Sequence, residues 1–262
     1  MTSEGWYVYA VIRDTDPSPI GLPGIFDDGG TTTVAGGDLA VIASEVDASR
    51  FETPSLEELL SDRAALEAAV RSHQDVCDSV AATSDLLPLR FGTVYRSRDA
   101  ITAFLLRHEQ RLWDAFEAVS GCREWGVQLL WNTERSDTVA ISPDAASGRA
   151  FLESKARRVN RRDDEAALAS ARAADIHERL LTASRNATLL APHPVALTGE
   201  SRRMVLNGAY LVRRDDEAAF AQLAESIAAE GAASGHSCIL NGPWPPHSFI
   251  DLDLEPADVA DA

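Results

Sequence analysis

The sequence predicts an α+β fold, divided into two domains. Segments rich in aromatic and β-branched residues alternate with segments whose apolar residues recur at helical spacing, which indicates strands mixed with helices. The chain has 262 residues, a length that fits two small domains or one large one at roughly 100–200 residues per domain. The polar stretch Thr133–Gly148 is typical of a domain boundary and favours two domains. We predict an N-terminal α+β domain at 1–132 and a C-terminal domain at 133–254, followed by an acidic tail at 255–262.

The first predicted elements are strands. Trp6–Ile12 is aromatic and β-branched, which is typical of a buried strand. Thr31–Ala35 and Leu39–Val46 flank Gly36-Gly37-Asp38, whose glycines favour the tight turn of a β-hairpin. These three segments predict a small sheet, with a loop rich in Pro, Gly and Asp at Asp14–Gly30.

A helical region follows the hairpin. Ser55 and Glu58 fit a capping box, in which side chains bind N–H groups that the first helical turn leaves unpaired. His73 lies on the apolar stripe of this region, where a satisfied histidine in the core or at its boundary is preferred to a catalytic one. The stripe predicts one long helix or two with a bend, and comprises Leu56, Leu59, Leu60, Leu66, Val70, Val76, Cys77 and Val80.

An extended segment and a second helical region complete the N-terminal domain. Asp85–Tyr95 is short and apolar, and Pro88 places it at a sheet edge or an irregularity. Ser97 can cap the next helix, whose apolar residues between Ile101 and Val119 follow the helical period.

The second half of the chain predicts strands and helices in a recognisable order. That order resembles a ferredoxin-like α+β sandwich with helices inserted after the first strand, which places the helical insertion at about 149–203. The elements are a strand at Glu124–Asn132, helices within Arg149–Leu190, a strand at Met204–Arg213, a helix at Asp215–Glu230, and strands at Ser237–Leu240 and Ser248–Leu254.

Charge and cysteine usage exclude several classes of protein. Lys and Arg total 24 against 41 Asp and Glu, a formal net charge of −17, which argues against nucleic-acid binding and against charge-driven binding to an anionic membrane. Neither a signal peptide nor a run of 18 apolar residues occurs. Cys77, Cys122 and Cys238 are odd in number and widely spaced, which favours reduced thiols in a cytoplasmic protein.

No motif that carries known chemistry occurs. The sequence lacks G-x-S-x-G, P-loop, G-x-G-x-x-G and H-E-x-x-H patterns, and its six histidines lack metal-ligand spacing. His73 and Cys77 have the spacing of helical neighbours, but the interior of a helix neither lowers a thiol pKa nor provides an oxyanion hole. We therefore predict no catalytic residue, no metal site and no cofactor, and the absence of these motifs counts against an enzyme.

Three features are candidates for contact with a partner. Arg90 lies among apolar residues, where a buried charge requires an acidic or carbonyl partner, and a structural ion pair is the preferred interpretation. Trp244 lies in the rigid turn Gly242–Pro246, which suits partner contact and a sheet-end connection equally well. A basic cluster fits a solvated helix face or an ion-paired contact with an acidic partner, and comprises Arg157, Arg158, Arg161 and Arg162.

Several segments together carry a resemblance to a known family. The chain resembles the gas vesicle accessory proteins of the GvpF/GvpL family, and the combination of PLRFGT, EWGV and GPWPPHSF is its most specific part. The Arg-rich stretch 149–203 falls in a region that varies across the family. The matching segments occur in the family's order: Tyr7–Ile12, Gly37–Val46, His73–Val76, Leu87–Tyr95, Glu124–Val127, Asn207–Val212 and Asn241–Phe249.

The resemblance implies a cytoplasmic, non-enzymatic protein of gas vesicle formation, either a minor vesicle component or an assembly factor. Its implied partners are the small hydrophobic shell protein GvpA and other accessory gas vesicle proteins. It also implies two α+β domains, the C-terminal one a modified ferredoxin-like fold with extra helices. Two other classes of function stay open: an enzyme with a deep polar pocket on a ferredoxin-like scaffold, and a small-molecule-binding regulatory module.

Overall fold

The computed structural model describes residues 4–13, 21–27, 29–132, 148–192 and 202–250, with the backbone alone at 27, 148–154, 158 and 232–234. The chain divides into two compact units. The first comprises residues up to Cys122 and those from Trp244 onward, and the second runs from Arg123 to Pro243. Sheets and helices occur in both, so the predicted α+β class is confirmed. The acidic tail 255–262 and the polar stretch up to residue 147 lie outside the described residues.

A five-stranded sheet forms the base of the first unit. Its strands are β1 (Glu4–Ile12), β2 (Thr32–Gly36), β3 (Leu39–Asp47), β4 (Leu86–Pro88) and β5 (Val94–Tyr95). Their order in the sheet is β2-β3-β1-β4, with β5 also paired to β1. The predicted hairpin is confirmed, because β2 and β3 pair antiparallel around a turn in which Gly37 has a φ of 69°.

Four helices of the first unit are described. The predicted capping box is wrong: Ser55 is already helical, and the residue before it, Pro54, makes no side-chain cap. The carboxylate that caps is that of Asp62, which accepts from two N–H groups at the start of α2. Ser97 caps α3 as predicted, by accepting from the Ala100 N–H. The helices are α1 (Ser55–Ser61), α2 (Arg63–Ala81), α3 (Arg98–Arg107) and α4 (Glu109–Val119).

The central strands of this sheet are buried on both faces. Alternate residues of β3, such as Ala40 and Ile42, share a core cluster with Val76 and Cys77 of α2. Val41 between them is also fully buried, and successive strand residues point to opposite faces. Helix α3 packs against β2 and β3, so this sheet is a layer between helices.

The second unit has a four-stranded sheet. Its elements are β6 (Cys122–Trp131), α5 (Gly148–Thr182), β7 (Asn186–Leu189), β8 (Arg203–Arg213), α6 (Glu217–Ser234) and β9 (His236–Trp244). The strand order is β7-β8-β6-β9. β7 falls inside the range predicted as helical and therefore corrects it: the helix ends at Thr182, and the four residues of β7 pair antiparallel with β8.

Both helices of the second unit pack on one core. Ala173, Ile176 and Leu180 of α5 share this cluster with Phe220 and Ile227 of α6 and with strand residues including Val127, Leu129 and Tyr210. The predicted strand Ser248–Leu254 is wrong over its described part, because His247–Phe249 forms a 3-10 turn. Its residues from 251 lie outside the described part of the chain.

Candidate functional site

A buried polar cluster in the first unit joins three of the segments that carry the family resemblance. The Tyr7 hydroxyl on β1 lies 2.8 Å from His73 Nδ1 on α2. The backbone N–H of Gly92, which follows β4, donates to the same hydroxyl at 3.2 Å. One phenol oxygen therefore connects residues 66 and 85 positions away in the chain.

A second tyrosine extends the cluster. The Tyr9 hydroxyl lies 2.8 Å from Ser44 Oγ on β3 and accepts from the Ile25 N–H at 2.7 Å. Tyr7, Tyr9 and Ser44 are all fully buried. Burying a hydroxyl without a partner costs about 1–3 kcal/mol, so these mutual bonds allow polar groups to lie inside an apolar core.

His73 and Cys77 face each other within this cluster but are both neutral at pH 7. Cys77 Sγ lies 3.7 Å from His73 Nε2. Burial raises the pKa of the Cys77 thiol to about 12. Burial, with a smaller contribution from the charge of His247, lowers the pKa of His73 to about 4. A cysteine nucleophile requires a thiolate, so this pair is arranged as a structural contact, as predicted for His73.

Half-buried aromatic rings cover the cluster. Phe51 and Phe91 lie 5.4 and 6.3 Å from the Tyr7 ring, and Phe26 lies 5.8 Å from Phe51. Phe26 has a φ of 62°, a left-handed conformation that costs a bulky residue about 1–3 kcal/mol and that surrounding contacts must hold. The guanidinium of Arg50, 5.1 Å over the Phe26 ring, is one of those contacts.

The C-terminal signature segment also reaches this cluster. His247 lies close enough to His73 and Asp78 of α2 for their charges to interact. Pro245 and Pro246 are buried, whereas Trp244 is 39% exposed. The turn therefore holds its prolines against the protein and leaves part of the indole at the surface.

The arginines singled out in the sequence whose side chains are described lie at the surface. The expectation that Arg90 is a buried charge is wrong: its side chain is exposed, and its carbonyl accepts from the N–H and hydroxyl of Thr93 in a tight turn. Arg157, Arg161 and Arg162 are exposed on α5 of the second unit, and the Arg158 side chain lies outside the described residues.

A cleft of about 690 Å³ lies at one end of the first sheet. The Arg98 guanidinium lies 5.1 Å over the Trp6 ring and donates to the Thr33 carbonyl at 3.1 Å. No motif in the sequence pointed to this cleft, because its residues come from separate strands, from two segments next to them and from the start of α3. Its lining combines both signs of charge with one indole: Glu4, Trp6, Glu45, Asp47, Arg50 and Arg98.

Across the described residues, every helix is too short or too polar to cross a membrane. Within the same residues, no group of three or more His, Cys, Asp or Glu side chains is placed to hold a metal ion.

Comparison with known proteins identifies the family. The profile described as gas vesicle synthesis protein GvpL/GvpF matches residues 5–251. This chain belongs to the GvpL/GvpF family. Gas vesicle protein L of a Streptomyces strain is 31% identical over 256 residues, covering 95% of this chain and 94% of that protein. Gas vesicle protein L2 of Halobacterium salinarum is 26% identical, covering 94% and 91%.

A solved GvpL/GvpF-family structure shares the fold. The crystal structure of GvpF from Anabaena sp. PCC7120 superposes with a TM-score of 0.70 at 20% sequence identity. The match covers 94% of this chain and 96% of that one. The predicted family resemblance is thus confirmed, and the α+β architecture described above is the one that this GvpF adopts.

Proposed function

We propose that the chain is a gas vesicle accessory or minor structural protein that binds the hydrophobic shell protein GvpA and supports vesicle assembly. The observation that carries this proposal is the family match across residues 5–251. The protein is cytoplasmic and associated with gas vesicles, and its further partners are other accessory gas vesicle proteins. Nucleic acid and membranes are not among its partners, since the net charge of −17 disfavours both.

A non-enzymatic role is supported by the chemistry of the buried cluster. Its cysteine and histidine are both neutral at pH 7, and its hydroxyls are bonded to one another or to backbone groups. The cluster ties β1, α2 and the turn after β4 together. The signature segments accordingly serve the shape of the first unit.

The proposal includes a two-domain chain whose second domain is a modified ferredoxin-like fold. The order of elements in the second unit, β6-α5-β7-β8-α6-β9, supports it, because it is the split β-α-β pattern of that fold. Helix α5, with 35 residues, is the extended element of the predicted insertion.

GvpA binding requires a contact surface that tolerates an apolar partner in water. Trp244 is a suitable anchor, because an indole that is already 39% exposed buries more apolar area on contact without unfolding anything. Arg90 is exposed in the same unit, and a guanidinium both packs along apolar surface and binds carbonyl or carboxylate groups. The strongly negative remainder of the chain keeps such a complex soluble.

Pull-down of co-expressed GvpA tests this proposal. Trp244→Ala and Arg90→Ala should each reduce the GvpA recovered. Leu106→Ala and Arg107→Ala are the matched controls, since Leu106 is 54% exposed and Arg107 is exposed on α3. Equal GvpA recovery by folded variants and controls removes Trp244 and Arg90 from the interface, and no recovery by the wild type removes GvpA as the direct partner.

The cleft at the end of the first sheet favours a second candidate, a small-molecule-binding regulatory module. A volume of about 690 Å³ lies within the range of ligand sites, about 300–1,000 Å³. Native mass spectrometry of the purified protein tests this candidate. A bound metabolite that is lost in Arg98→Ala supports it, and a ligand-free wild-type spectrum argues against it.

A further inference from the structure

Helix α5 is anchored to the second unit through its later turns. Among its described side chains, the buried residues begin at Ala169 and continue through Ala173, Ile176 and Leu180. On the adjoining face, Arg179 donates to both carboxylate oxygens of Glu230 on α6, at 3.0 and 2.8 Å. These contacts fix the axis of the helix from residue 169 onward.

The turns before this anchor project a solvated surface. Between 155 and 168, every described side chain is exposed except those of Glu165 and Ala166, which are half-buried. We call residues 155–168 the α5 arm. At a rise of 1.5 Å per residue it is about 21 Å long. Leu168 at its end is 61% exposed, a higher fraction than any other large apolar side chain among the described residues.

One face of the arm carries a self-complementary pattern. Arg157, Arg161, Asp164 and Leu168 are spaced by four, three and four residues, so they lie along one side of the helix. The order along this side is cation, cation, anion, apolar. If a second, antiparallel arm is placed with its two-fold axis between residues 162 and 163, each Arg161 lies opposite an Asp164. Each Arg157 then lies opposite a Leu168.

We infer that the α5 arm is an interface between two copies of this chain, paired antiparallel along this face. An isologous contact requires a surface that is complementary to itself, and the order of charges meets that requirement only in the antiparallel orientation. The two Arg161–Asp164 pairs lie at the centre, and the aliphatic stem of each Arg157 covers the exposed Leu168 of the other copy.

The charge of the rest of the chain favours contact between the two α5 arms over contact between other surfaces of the two copies. Two copies that each carry a net charge of −17 repel one another, whereas the arm is locally basic at Arg157, Arg161 and Arg162. Within the helix, Arg161 precedes Glu165 by four residues, the weaker order for an intrahelical pair. An intrahelical pair of this order therefore competes only weakly with a contact between copies.

The size of the arm determines how strong the association is. Four helical turns on each side bury far less than the roughly 1,600 Å² of a standard stable interface. The dimer is therefore weak, forms at high protein concentration, and is sensitive to salt because its central pairs are at the surface.

Analytical ultracentrifugation of the full chain over a range of concentrations tests the inference. The wild type should show a monomer–dimer equilibrium at low ionic strength that weakens in about 0.5 M salt. Arg161→Glu and Asp164→Arg should each weaken self-association on the order of tenfold, because each places like charges opposite one another. An equimolar mixture of the two variants should restore association, since both central pairs of the mixed dimer then bring a carboxylate opposite a guanidinium.

The controls separate this contact from general charge effects. Arg107→Glu, at an exposed position of α3, changes the net charge as much as Arg161→Glu and should leave the dimer intact. Circular dichroism checks that every variant is folded. A wild type that stays monomeric at low salt overturns the inference. A dimer that Arg161→Glu leaves unchanged, or that Arg107→Glu weakens equally, overturns it as well.

Discussion

Replacing His73 with asparagine should remove a large part of the acid sensitivity of the first unit. The His73 ring is 4% exposed, and its Nδ1 lies 2.8 Å from the Tyr7 hydroxyl. Asparagine keeps a polar atom near that hydroxyl but cannot take up a proton in this pH range. The variant therefore separates the titration of the imidazole from the packing of the helix.

The size of the effect follows from the difference in pKa between the folded and unfolded states. Burial lowers the pKa of His73 from 6.5 to about 4, so the unfolded chain takes up the proton first as the pH falls. Stability is therefore complete above about pH 6.5 and is lost as the pH falls toward 4. The full loss is about 3 kcal/mol, and between about pH 7.5 and 5.5 it is about 1.4 kcal/mol.

Urea denaturation at these two pH values measures the effect. The loss of unfolding free energy between them should be about 1.4 kcal/mol smaller for His73→Asn than for the wild type. Both proteins keep a negative net charge at pH 5.5, which favours solubility. His108→Asn, at a half-buried position, is the control and should retain most of the wild-type pH dependence. Equal pH dependence in His73→Asn and the wild type would refute the assignment of this proton to His73.

Two further predictions concern the second unit. Ile176→Ala leaves a cavity at a fully buried position of α5 and should lower the free energy of unfolding by about 2–5 kcal/mol. Val159→Ala, at a 49% exposed position of the same helix, should change it by less than about 0.5 kcal/mol. Similar losses in the two variants would contradict the described burial. Gly231→Ala would place a Cβ 2.6 Å from the His236 carbonyl oxygen. Because a backbone atom cannot easily move away, this variant should lower the free energy of unfolding by about 1–3 kcal/mol. Unchanged urea denaturation would contradict that close approach.

Features that depend on neighbouring residues were predictable. The β2–β3 hairpin follows from a glycine turn between two apolar runs, and α2 follows from a stripe at helical spacing. His73 was correctly interpreted as a core histidine because it lies on that stripe. Its partner Tyr7, 66 residues away, carried no local signal, and neither did the cleft around Trp6.

Three features were predicted wrongly, one because of a distant pairing and two because of local bends of the chain. Asn186–Leu189 falls in a range predicted as helical because that range is rich in Ala, Arg and Glu, and its pairing with β8 makes it a strand. Ser55 does not cap a helix because α1 already begins at it, and Asp62 caps α2 because the chain bends there between α1 and α2. Arg90 was expected to be buried from its apolar neighbours, but the turn closed by Thr93 leaves it exposed.

The sequence by itself determined the α+β class, most of the helices and strands, and the family, because local periodicity and short motifs carry that information. Only the tertiary structure showed that the signature segments converge on His73 and Tyr7. It also showed that the basic cluster lies on the solvated turns of α5, ahead of its anchor at Ala169. Burial and long-range pairing depend on contacts between residues far apart in the chain, which local sequence patterns do not specify.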